Sequence, residues 1–125
     1  HLNANKCVRV CAFIDEMNLA YDLADIIISR AGASSISELC IVGKPVIFIP
    51  SPNVAEDHQS KNAYSLVNKK AAIMIEEKNI NKDFKNSFSR LINNEELQLD
   101  LSRNILKQAK LNATKDIVNE IEKLL

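Results

Sequence analysis

The sequence predicts an α/β fold in one domain spanning 1–125: a Rossmann-like parallel sheet with flanking helices. Three observations carry that prediction. The runs at 25–29 (DIIIS) and 45–50 (PVIFIP) are short and continuously apolar, the pattern of strands buried on both faces. Each is followed by a loop and then by a helical pattern. From Ile80 onward the apolar residues recur at helical spacing to the end. Strands that alternate with helices through short loops must run parallel, because each crossover helix packs back on the sheet.

In chain order, 6–12 (KCVRVCA) alternates and is β-branched enough to predict a strand. The segment 13–17 (FIDEM) follows as a loop, and Asp15 is placed to cap a short helix at 16–23. After strand 25–29, the segment 30–34 (RAGAS) is a loop of small residues. A helix is expected over 35–42, stopped by Gly43. Strand 45–50 has Pro at both ends, which limits its length. A loop at 51–56 leads to a helix at 57–69, and 71–75 is the last expected strand. Phe84, Phe88, Leu91 and Ile92 form one helical stripe, ended by Asn93-Asn94. Leu97, Leu101, Ile105 and Leu106 form the next, with a second break near Asn112-Ala113. Ile117, Val118, Ile121, Leu124 and Leu125 form the last.

Composition narrows the function classes. Lysine plus arginine equals aspartate plus glutamate at 16 each, so no global field draws nucleic acid or an anionic membrane to this chain. No apolar run reaches the ~18 residues that a spanning helix needs, and no signal-peptide pattern opens the sequence. Cys7, Cys11 and Cys40 lie in apolar segments and read as buried free thiols in a reducing compartment. No metal site is expected, because their spacing lacks a companion pair and His1 and His58 lie in unrelated segments. The chain opens on His1 and runs almost directly into a strand, which reads as a segment truncated on its amino-terminal side.

In parallel α/β sheets, ligands bind beyond the carboxyl ends of the strands. The loops at 13–17, 30–35 and 51–59 are therefore expected to converge on one crevice. The segment 30–38 (RAGASSISE) is the most informative. Its small residues, Gly32 among them, let a ligand approach the backbone. The helix that follows begins with unpaired N–H groups and a partial positive charge, which suit a phosphate, and Ser34 and Ser35 add hydroxyls. Ser35 to Glu38 also fits a capping box, a purely structural reading. One helical turn in from a ligand-facing loop, the Glu38 carboxylate can instead accept from the vicinal hydroxyls of a ribose. Near the third loop, Gln59 offers a donor and an acceptor to sugar hydroxyls, and His58 binds a ligand, caps the helix or lies on the surface. In 13–17, an apolar residue such as Ile14 can present its backbone to the polar edge of a base while Met17 packs on the base's face. Taken alone, Phe13, Ile14 and Met17 read first as core residues.

Taken together, FIDEM at 13–17, ADIIISRAGASSISELCIVGKPVIFIP at 24–50 and DHQSKNA at 57–63 resemble the carboxy-terminal domain of glycosyltransferase family 28. These stretches cover about half the chain and occur in the family's order. Related GT-B transferases carry His-Gly-Gly at the equivalent loop, and UDP-sugar epimerases carry Ser-Gly-Gly with Gln-Glu-Glu. This chain has Arg30-Ala31-Gly32-Ala33 and a single Glu38, the family 28 pattern.

The resemblance implies the carboxy-terminal, donor-binding half of a GT-B fold. It implies an inverting transfer of N-acetylglucosamine from UDP-N-acetylglucosamine to lipid I, forming lipid II for peptidoglycan at the cytoplasmic face of the bacterial inner membrane. It places uracil against Ile14 with Met17 nearby, the diphosphate over Ala33, Ser34 and Ser35, and the ribose at Glu38. His58 and Gln59 fall to the sugar, with a loop or phosphate role for Arg30 and Gly32. No cofactor and no nucleic-acid partner are implied. The catalytic base, the lipid I site, the membrane-docking patch and a Gly-Gly-Ser diphosphate loop belong to parts of the family that this sequence does not contain, so no catalytic residue is expected here. A soluble fragment that binds donor weakly and transfers nothing alone is the resulting expectation. Two other readings stand beside it. One is a naturally separate catalytic subunit of a lipid-linked N-acetylglucosaminyltransferase. The other is a non-enzymatic α/β interaction module in which RAGASSISE only caps a helix.

Overall fold

The computed structural model describes residues 7–53 and 57–124. Within them run helix α1 (Met17–Leu23), strand β1 (Ile27–Ser29), α2 (Ala33–Val42), β2 (Val46–Phe48), α3 (His58–Val67) and β3 (Ile73–Met74). A 3-10 turn at Glu77–Asn79 leads into α4 (Ile80–Ile92), α5 (Glu95–Leu106) and α6 (Ala113–Glu122). The three strands are parallel in the order β1-β2-β3. In register, Ile28 lies beside Ile47, and Ile47 beside Ile73.

Strand β2 shows why its residues must be apolar throughout. It is central, and all three of its residues are buried. Successive strand side chains point to opposite faces. Val46 and Phe48 accordingly join a cluster with Leu39 and Cys40 of α2, Ala63 and Leu66 of α3, and Ile105 of α5. Ile47 points the other way, into a cluster with Ile75, Leu91 and Leu101. Phe84 and Phe88 of α4 pack against this second cluster as a stacked pair, ring centroids 5.6 Å apart. Burial of a side chain the size of Phe48 contributes about 1.5–3 kcal/mol. Helices on both faces of the sheet therefore follow from one tripeptide.

Gly43 ends α2 in the left-handed region, with φ 71° and its N–H on the Leu39 carbonyl. Asn94 caps α5, its side chain accepting from the Leu97 amide at 2.9 Å. Both breaks were legible in the sequence.

Several sequence expectations need correction. The strand predicted at 6–12 does not form over its described part, 7–12. Alternation alone does not hold a strand without a paired neighbour. Lys6 lies outside the described residues, as do His1, 54–56 of the third loop and Leu125 of the last stripe. Cys7 and Cys11 are consequently exposed, and only Cys40 is buried. The strands at 25–29, 45–50 and 71–75 are shorter than their apolar runs, because the ladder ends where a neighbour's backbone does. The cap of α1 is Glu16 rather than Asp15, with no side-chain bond. In α6 no described residue is buried, and Ile117, Val118 and Ile121 stand exposed.

Candidate functional site

The carboxyl end of β1 opens directly into the site. Ser29 leads to Arg30, the fully buried Ala31 and Gly32, and Gly32 is the N-cap of α2, with φ −65° and ψ 149°. The Ile36 amide makes the first intrahelical bond, to the Gly32 carbonyl at 2.9 Å. The amides of Ala33, Ser34 and Ser35 precede it and have no carbonyl one turn back within the helix. Ala33 and Ser34 are exposed and Ser35 is half-buried. This helix start carries a partial positive charge.

The capping box is not formed. Helix α2 begins two residues earlier than the sequence suggested, with no side-chain cap bond, so Ser35 is already inside its first turn. Small residues at 31–33 let the backbone turn into the helix as early as Ala33. Glu38 is thereby released from a capping role. Its side chain is exposed, and its Oε2 accepts from the Tyr21 hydroxyl at 3.0 Å. Tyr21 sits on α1, and its ring packs against the cluster around Leu39. Burial, followed by the neighbouring carboxylate, raises the Tyr21 phenol above its ordinary value. Tyr21 was not foreseen, although its spacing of four from Met17 put it on the same helical face.

A second set of contacts ties the loops after β1 and β2 together. The Gln59 Oε1 accepts from the Ser51 amide at 2.9 Å and from the Ala31 amide at 3.3 Å. Asn62 Nδ2 donates to the Ala31 carbonyl at 3.2 Å. Arg30 donates to the carbonyls of Ile49 at 3.1 Å and Pro50 at 3.3 Å, and pairs with Glu77 beyond β3. Arg30 thus spans the carboxyl ends of all three strands. Glu77 and Ser51 were not foreseen. Their roles depend on contacts across 47 and 8 residues that no local pattern encodes.

The predicted residues are therefore partly gathered. Arg30, Gly32, Ala33, Ser34, Ser35 and Gln59 lie at or beside the ends of β1 and β2. His58 is exposed as the first residue of α3, next to Asp57, whose φ is 55°. A cleft of about 540 Å³ opens beside it, lined by Pro50, Pro52, Asp57, Ser60, Glu76 and Glu77 among others. The loop at 13–16 lies instead along a separate, mainly apolar cleft of about 540 Å³, lined by Phe13, Ile14, Leu19 and Leu23 among others. Phe13, Ile14 and Met17 are all exposed, so the reading of them as core residues fails. The link from this segment to the α2 site runs through α1, by way of Tyr21 and Glu38.

The sequence model described as glycosyltransferase family 28 C-terminal domain matches residues 1–121. The chain belongs to this family. Two family 28 relatives bear the same name, UDP-N-acetylglucosamine–N-acetylmuramyl-(pentapeptide) pyrophosphoryl-undecaprenol N-acetylglucosamine transferase. The one from Flavobacterium psychrophilum is 60% identical over 94% of this chain. The one from Christiangramia forsetii is 54% identical, also over 94%. This chain spans 32% of each relative's length. A crystal structure of Acinetobacter baumannii MurG superposes with a TM-score of 0.83 at 32% identity, covering 92% of this chain and 33% of that one. At that identity the likeness establishes the family 28 fold expected from the sequence, a parallel α/β domain of GT-B type.

Proposed function

We propose that this chain is the UDP-N-acetylglucosamine-binding half of an inverting glycosyltransferase. It transfers N-acetylglucosamine to a pyrophosphoryl-undecaprenol-linked muramyl pentapeptide, as the names of its relatives describe for them. The supporting observation is the state of Glu38. It is exposed, free of any capping role, and stands one helical turn beyond the amides of Ala33, Ser34 and Ser35. A carboxylate there suits the ribose diol, and amides at a helix start suit the diphosphate.

The reaction is a displacement at the anomeric carbon. The acceptor hydroxyl attacks, the bond to the diphosphate oxygen breaks, and the configuration inverts. The charge that develops on the leaving diphosphate is met by the α2 amides and dipole, aided by the Ser34 and Ser35 hydroxyls. Glu38 fixes the nucleoside, Ile14 presents its backbone to the uracil edge, and Met17 lies nearby. Gln59 and His58 take the sugar hydroxyls, and Gly32 leaves room for the diphosphate against the backbone. These groups position and stabilise, whereas the catalytic base and the lipid acceptor lie with a second domain, at the cytoplasmic membrane face. In this reading the full protein attaches peripherally at that face; among the described residues no helix is long and apolar enough to cross a membrane.

Calorimetric titration of the chain with UDP and UDP-N-acetylglucosamine tests the reading. Both bind, and Glu38→Ala weakens both by about 10- to 100-fold with the circular dichroism unchanged, the cost of hydrogen bonds to a charged acceptor. Unchanged binding in that variant, or none in the parent, favours the interaction-module reading instead. The isolated chain is also expected to transfer no sugar, and measurable lipid II formation by it alone would refute this division of labour.

A further inference from the structure

We propose that Tyr21 is a positioning residue for the nucleoside: its hydroxyl holds the Glu38 carboxylate in the orientation that receives a ribose diol. The inference rests on the donor-binding reading above and extends it to a residue outside the three loops that carry it.

The geometry is specific. The Tyr21 ring is half-buried against the core cluster that contains Leu39 and Cys40, the two residues following Glu38 on α2. Its hydroxyl meets Glu38 Oε2 at 3.0 Å. A glutamate has three rotatable bonds, and holding an exposed one in a single orientation costs side-chain entropy. A tyrosine has two, and here the ring is already fixed by packing. The phenol therefore lends its order to the carboxylate.

The hydrogen-bond count leaves room for the ligand. An ionised carboxylate offers about four acceptor sites on two oxygens. Tyr21 occupies one on Oε2, so the remaining sites suffice for two ribose hydroxyls. Burial and the adjacent carboxylate both disfavour ionisation of the phenol, which keeps it a donor across the neutral range. The contact also joins the two halves of the nucleoside site. Tyr21 is on α1, which begins at Met17 just after Ile14, whereas Glu38 is on α2. A shift of α1 would thus move the base-facing segment and the ribose carboxylate together.

The test uses the longest natural protein that carries this sequence and compares UDP with 2′-deoxy-UDP by calorimetry. In Tyr21→Phe, UDP affinity is expected to fall about 5- to 10-fold, the size of one charge-assisted hydrogen bond partly screened by solvent. Affinity for 2′-deoxy-UDP falls much less, because one of the hydroxyls that Glu38 receives is already gone. In a Glu38→Ala background, Tyr21→Phe has no further effect. Equal losses for both ligands, or a continued loss without Glu38, would show a role in folding alone and overturn the proposal. If Glu38→Ala weakens UDP but Tyr21→Phe does not, the positioning role fails while the donor site stands. If Glu38→Ala changes nothing, the donor site itself fails. A readout that leaves Tyr21 unaltered guards against a poorly folded variant. The pH titration of its ring-carbon NMR signal should shift to lower pH in Glu38→Gln, and superimposable curves would overturn the proposal.

Discussion

Gln59 Oε1 lies 2.9 Å from the amide of Ser51, and the same oxygen takes the amide of Ala31 at 3.3 Å. One side-chain carbonyl thus satisfies two backbone donors from the loops after β1 and β2. Its other half, Nε2, is the group that faces the sugar in the proposed reading. The two functions can be separated. Gln59→Glu keeps the acceptor and loses the amide donor. It should leave stability within about 0.5 kcal/mol of the parent and weaken binding of UDP-N-acetylglucosamine more than binding of UDP. Gln59→Leu leaves two part-buried amides unpaired and should cost about 1–3 kcal/mol in urea unfolding. Equal destabilisation by both would show that the clamp is not what the side chain supplies.

Arg30 offers a second separation. Its guanidinium bonds two carbonyls beyond β2 and pairs with Glu77 beyond β3. The pair is solvent-exposed, at 52% and 39% of the two side chains, so its charge term is small. Glu77→Gln is expected to cost under about 1 kcal/mol, a loss that disappears at high salt. Arg30→Ala removes the same pair and also strands the two carbonyls, so about 1–2 kcal/mol of its cost should remain at high salt, with weaker UDP binding as the loops separate. Urea midpoints at low and high ionic strength decide this, and equal stability of the two variants at high salt would refute it.

How much of this could be read in the sequence follows the range of each interaction. The strand at 46–48 was legible because burial on both faces demands a continuous apolar run, and Val46 to Phe48 supply one. Strand β1 was found by the same pattern in Ile26 to Ile28, but Ile28 is exposed, so burial on both faces fails there. The segment 7–12 has equally strand-like residues, but a strand is a pairing and the pairing is not local. Glu38 was legible by its place one turn into a helix after a small-residue loop. Its apparent cap was misleading, because the helix start is decided by how early the backbone at Gly32 can turn. Tyr21 lies 17 residues from its partner, and only the docking of α1 on α2 brings them together.

Gly43 tests the backbone that ends α2. Its φ of 71° is disfavoured for residues with a Cβ, and a Cβ built there would lie 2.5 Å from Leu106 Cδ2. Leu106 is half exposed and can swing away, so conformational strain is the larger effect. Gly43→Ala should cost about 1–2 kcal/mol. Asn is larger than Ala but tolerates the left-handed region. Gly43→Asn is therefore expected to melt higher than Gly43→Ala. The reverse order would show that the clash with Leu106 decides.

The cysteines give the last test, one of pH dependence. Cys40 is buried in the main core cluster, and burial raises its thiol above the ordinary value of 9.0, with Lys69 opposing more weakly. A raised acid holds its proton more tightly when folded than when unfolded. Its contribution is thus fully present below pH 9.0 and is lost as pH rises above that value. Stability should fall through this alkaline window, and Cys40→Ala should flatten the fall while lowering stability at neutral pH. Thiol labelling gives an independent reading. Cys7 and Cys11 are exposed and should react at once, whereas Cys40 should react at least about tenfold more slowly, limited by opening of the core. Three equally fast thiols in the folded chain would mean that α2 does not close over β2 in solution.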